Sequence, residues 1–152
     1  MKKPFLILFA TQLLWGFLPV SVHAQSAPAE QATAVFEKFL ASFTNADSEG
    51  VLDLFAEDAL FWGTGSQTLV TEPAGIRQYF SRLNTQTPGE TIASARDYSV
   101  RVLGDDLVLV SGMWQIATAD NAQGTPLRVS MAVARRQGHW QIVQFHNSRV
   151  PE

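Results

Sequence analysis

From Ile92 to Ser148 the chain offers four strand-length segments with only short breaks between them, and this half constrains the fold most. The segments are Ile92 to Leu103, Leu107 to Ala119, Leu127 to Arg136 and Trp140 to Ser148. They are rich in β-branched and aromatic residues. The breaks fall at Gly104-Asp105-Asp106, at the loop Asp120 to Thr125, and at Gln137-Gly138. Segments joined by breaks this short predict hairpins, and successive hairpins make an antiparallel sheet.

The preceding part reads differently. Phe36, Phe39, Leu40 and Phe43 recur at i, i+3, i+4 and i+7, the apolar stripe of a helix ending near Asn45-Ala46. Asp47 or Ser48 can cap a second, short helix carrying Val51, Leu52, Leu54 and Phe55. Ala59 to Thr64 is short and aromatic, which predicts a strand. A third helix is expected with Thr71 as cap, Pro73 in its first turn, and a stripe of Ile76, Tyr79, Phe80 and Leu83. The segment Asn84 to Glu90 then breaks the chain. Helices bunched ahead of a run of strands indicate an α+β fold, not a doubly wound sheet.

The N-terminus predicts export. Lys2 and Lys3 precede an almost wholly apolar run from Phe5 to Val20, and Val22-His23-Ala24 places small residues at the −3 and −1 positions of a cleavage site. That is the pattern of a secretory signal peptide; the run is shorter than the ~20 residues a membrane-spanning helix needs. The expected organisation is a signal over residues 1–24, a flexible leader over 25–31 and one domain over 32–151. The mature protein is expected in the periplasm or secreted, with no membrane association after cleavage. The chain has no cysteine, so disulfides contribute nothing even in an oxidising compartment. Its formal net charge is −3 before the signal's two lysines are lost. The remaining cations are scattered rather than striped, which argues against nucleic acid as a partner.

Pairing the last hairpin about Gln137-Gly138 by unbroken alternation sets Trp140 opposite Arg135, Ile142 opposite Val133, Gln144 opposite Met131 and His146 opposite Val129. Facing residues share a side of the sheet. One face would then carry Val129, Met131, Val133, Trp140, Ile142, Gln144, His146 and Ser148. The other would carry Arg128, Ser130, Ala132, Ala134, Val143 and Phe145. An exposed apolar patch usually marks an interface, so Ala132, Ala134, Val143 and Phe145 predict a symmetric homodimer.

Trp140 to Pro151 (WQIVQFHNSRVP) resembles the closing strand of the association, or hub, domain of calcium/calmodulin-dependent protein kinase II. Leu60 to Phe80 is similar to the matching segment of that domain's free-standing bacterial relatives, and Val102 to Asp106 (VLGDD) also fits. The resemblance spans roughly Thr33 to Pro151. It implies the nuclear transport factor 2-like superfamily, with its SnoaL-like and cystatin-like members: a cone in which a curved antiparallel sheet wraps three helices around a cavity. It implies dimerisation through the outer sheet face. It does not imply kinase activity, because the glycine-rich loop, the strand lysine and the catalytic-loop and magnesium-binding motifs are lacking. Kinase hubs place cavity arginines where this chain has Trp114 and Met131, which implies a less cationic, more apolar cavity here.

The residues that could carry chemistry are few. His146, at the polar end of the apolar face, is a candidate proton shuttle or hydrogen-bonding anchor. Asp97 is a strand-borne carboxylate set by simple pairing opposite Gly112, on the side of Trp114. Cavity aspartates serve as general bases in ketosteroid isomerases of the superfamily, while Arg96 and Arg101 offer it ordinary ion-pair partners. Trp62, Tyr79, Trp114, Met131, Gln144 and His146 are expected to line the ligand cavity. A metal site is not expected: His139 and His146 are the only histidines after the signal, and neither has a carboxylate at helical spacing. No serine sits in a nucleophile elbow, and no cofactor is implied. These residues predict an exported, homodimeric binder of a small apolar or aromatic molecule. The alternative is an isomerase or hydratase using Asp97 and His146 as base and acid. A purely oligomeric scaffold would need a partner domain that this chain lacks.

Overall fold

The computed structural model describes residues 27–151; the expected export signal and its expected cleavage site lie outside them. Helix α1 spans Ala27–Thr44 and buries the expected stripe of Phe36, Phe39, Leu40 and Phe43. It starts earlier than expected. Ala27 to Gln31, read as part of the leader, form its first turns, with Ala29 and Ala32 buried; Pro28 is tolerated there because the first turn has no intrahelical use for its N–H. Ala46, at φ 55°, turns the chain out of α1. Asp47 then caps α2 (Ser48–Leu52), its carboxylate accepting from the Gly50 N–H.

Strand β1 runs Phe55–Trp62, four residues ahead of the expected start. The cause is pairing: the Ile142 N–H donates to the Leu54 carbonyl at 2.7 Å, and Phe55 faces Ile142 in a parallel ladder, so Phe55 opens a strand instead of closing α2. Helix α3 (Pro73–Phe80) has Pro73 in its first turn as expected, but Glu72 rather than Thr71 holds the N-cap position, without a capping side chain. Leu83 completes the α3 stripe from a 3₁₀ turn over Ser81–Thr85.

Strands β2 (Ile92–Gly104), β3 (Leu107–Thr118), β4 (Asn121–Arg136) and β5 (His139–Arg149) follow. The sheet order is β1-β5-β4-β3-β2, antiparallel except for β1 against β5. The expected loop Asp120 to Thr125 is mostly strand, because β4 pairs with β3 back to Asn121 opposite Thr118. Gln137 and Gly138, at φ 51° and 85°, form the two-residue hairpin turn. One face of the sheet packs on the helices. There Phe39 meets Phe43, Phe80, Trp114 and Phe145 with ring centroids 5.2–6.3 Å apart. The Ala93 N–H donates to Thr44 Oγ1 at 2.9 Å, tying the end of α1 to β2. Among the described residues no helix is long and apolar enough to cross a membrane.

Two bulges decide which side chains face inward. In β5, Val133 pairs with Ile142 but Ala132 with Gln144, so Val143 is an extra residue. In β2, Ala95 pairs with Trp114 and Tyr98 with Gly112, so one residue of Arg96-Asp97 is extra. A bulge of one residue moves every later side chain to the opposite face.

Candidate functional site

The inward face of β5 beyond its bulge is Phe145, Asn147 and Arg149, opposite Met131, Val129 and Leu127 of β4. Phe145 is 1% exposed and stacks on Phe61 at 5.4 Å with rings 9° from parallel. It is a core residue, and its expected place on a dimer face is corrected. His146 pairs with Ser130 and Trp62, Gln144 with Ala132 and Leu60, all on the outer face. His146 and Trp62 are exposed there. The expected cavity roles of Gln144 and His146 are therefore corrected by the same one-residue shift, and that of Trp62 by its place opposite His146 on the outer face.

The cavity opens between this end of the sheet, α1 and α3, and has a volume of about 600 Å³. Phe39, Phe43, Phe80, Trp114 and Phe145 supply its apolar wall. Of the expected ligand-binding residues, Trp114 and Tyr79 line it; Met131 is fully buried in the core behind. Gly63 makes room for Tyr79, since a Cβ at that position would lie 2.3 Å from the phenol ring. The exposed lining residues at its mouth include Arg82 and Arg149. The Arg82 guanidinium lies 5.3 Å from the Tyr79 ring centroid, within cation–π range.

The buried polar feature of the cavity is a chain of hydrogen bonds that begins on Trp114. Its indole Nε1–H donates to Asn147 Oδ1 at 2.8 Å, and Asn147 Nδ2 donates to Thr64 Oγ1 at 2.6 Å. An indole N–H can only donate, so it fixes which end of the amide is oxygen. Thr64 is held in turn by a tight loop: the Gly63 N–H donates to Ser66 Oγ at 3.0 Å and the Ser66 N–H to the Gly63 carbonyl at 3.0 Å. Asn147 is 7% exposed. It holds the place that His146 was expected to take.

Asp97 does not enter this site. The β2 bulge carries it into solvent, and its carbonyl lies against Gly112, where a Cβ would come within 2.3 Å. No carboxylate and no histidine line the cavity among the described residues, so the geometry holds no acid–base pair of the kind expected from Asp97 and His146. Nor, among the described residues, do three or more His, Cys, Asp or Glu side chains gather as metal ligands.

Similar folds are found among solved structures. A protein from Xanthomonas campestris, provisionally assigned as a calcium/calmodulin-dependent protein kinase II association domain, is 23% identical with a TM-score of 0.69, over 80% of this chain and 86% of that one. A nuclear transport factor 2-like protein of unknown function from Pseudomonas putida is 15% identical with a TM-score of 0.72, over 82% and 87%. A provisionally assigned dehydratase of the nuclear transport factor 2-like family from Streptomyces avermitilis is 17% identical with a TM-score of 0.69, over 82% and 96%. At these identities the likeness is one of fold. No curated protein of known function matches. The family pattern described as the SnoaL-like domain matches residues 32–152. With the helix-then-sheet cone and its end cavity, that match over most of the chain places this protein in the SnoaL-like domain family.

Proposed function

We propose that this chain is a small-molecule-binding protein that holds an aromatic or apolar ligand in the cone cavity without transforming it. The observation that carries the reading is the Trp114–Asn147–Thr64 chain set in an aromatic wall. A mostly apolar pocket with a few fixed polar groups is the usual form of a ligand site, and this one offers hydrogen bonds but, among the described residues, no carboxylate or imidazole to accept a proton. The N-terminal pattern around Lys2-Lys3 and Val22-His23-Ala24 supports export to the periplasm or beyond, with a mature N-terminus at Gln25 checked by intact mass. The outer sheet face, bearing Leu60 and Trp62, supports a homodimer.

A thermal-shift titration with a neutral bicyclic aromatic alcohol, 2-naphthalenemethanol, tests the binding role. At 100 times its dissociation constant a ligand stabilises the native state by ~2.7 kcal/mol. His146→Gln and Asp97→Asn are expected to leave that shift intact, since neither side chain lines the cavity. Loss of the shift in either variant would restore those residues to the site; no shift with this probe in the native protein would count against the cavity.

A further inference from the structure

We infer that the cavity selects amphiphiles with one anionic end, a carboxylate above all, held at the mouth by Arg82 and Arg149 while the apolar body lies against the aromatic wall. This rests on the cavity being a ligand site, and it adds the class of ligand.

Three observations lead to it. First, among the described residues the mouth's cations have no protein counter-ion. Arg77, Arg135 and Arg136 each pair with a carboxylate, of Glu49, Asp106 and Asp58 respectively, while Arg96, Arg101 and Arg128 also form no salt bridge among the described residues but do not line the cavity. Among the described residues no carboxylate forms a salt bridge with Arg82 or Arg149, on a chain that carries a net negative charge. Second, both are directed to the cavity by the fold. Arg149 follows Phe145 and Asn147 on the inward face of β5, and Arg82 rests over the ring of Tyr79, itself a lining residue.

Third, the polar lining is rich in donors. The Trp114 indole occupies the Asn147 carbonyl, leaving the amide with a hydrogen beyond the one given to Thr64. Thr64 Oγ1, having accepted from that amide, keeps its own hydrogen to give. Two guanidiniums beside such donors complement an acceptor-only group, and the planar guanidinium fork matches a carboxylate in two-point geometry.

The test compares 2-naphthoate with 2-naphthalenemethanol, the same ring system with and without charge, by calorimetry on the wild-type protein and on Arg82→Gln, Arg149→Gln and the double variant. Both arginines are exposed, and the contact from Arg128 reaches the Arg149 backbone carbonyl rather than its side chain, so the fold survives these changes. The acid is expected to bind wild type about tenfold or more tightly than the alcohol. Each single variant should narrow that preference, and the double variant should abolish it while still binding the alcohol. Raised salt should shrink it as well. Equal affinity of acid and alcohol for wild type, or an acid preference that survives in the double variant, overturns the inference and leaves the cavity site standing. Binding of neither compound overturns both.

Discussion

A buried asparagine must find partners for two amide hydrogens and a carbonyl oxygen, and position 147 meets most of that need through Trp114 and Thr64. Replacing it with leucine keeps the branched shape but leaves the buried indole N–H unpaired, at a cost of ~1–3 kcal/mol. Thr64→Val removes one hydrogen bond from a half-buried hydroxyl and should cost less, about 0.5–1.5 kcal/mol. Urea unfolding of the two variants is expected to give that order; an Asn147→Leu protein as stable as wild type would mean the chain of bonds contributes nothing. Asn147 was not singled out from the sequence. It stands beside His146, and on a strand the face each presents depends on phase alone, which no property of the two residues decides.

The β5 bulge sets that phase, and a trace of it was legible. Ile142 and Phe145 are three apart, so a regular strand, with a side-chain period of two, cannot bury both. Burying both requires an extra residue between them, and Val143 is that residue. The helices were legible because their phenylalanine and isoleucine stripes leave one phase to bury, and Gln137-Gly138 marked its turn. The strand β1 was half-legible: its parallel partner is distant in sequence, so no local signal located its start at Phe55. The cysteine-free chain allows a direct check of register. Paired residues in an antiparallel ladder have Cα atoms ~4.5–5.5 Å apart, within the ~4.4–6.8 Å span of a disulfide. Ser130→Cys with His146→Cys should therefore close a disulfide on oxidation, seen by mass before and after alkylation. Val129→Cys with His146→Cys, the pairing that unbroken alternation gives, should not.

For the molecule as a whole, the same bulge exchanges the residues available for assembly. Phe145→Glu would bury a carboxylate against Phe61 and is expected to unfold the protein rather than to separate subunits. Trp62, 38% exposed beside His146 on the outer face, is the better probe of the proposed dimer. Trp62→Glu should yield a folded monomer in light scattering, and a dimer unchanged by it would exclude this part of the face. The α+β class and the cone were legible from element order and from the closing-strand resemblance, whereas the cavity's contents were not, because they follow from two single-residue irregularities in the ladders. The most direct measurement of the account is a crystal structure of the protein grown with 2-naphthoate. The expected result is the ring system against Phe39, Trp114 and Phe145, with its carboxylate toward Arg82 and Arg149. A ligand seated on the outer face at His146 and Trp62, or a cone closed by its own side chains with no room for one, would contradict it.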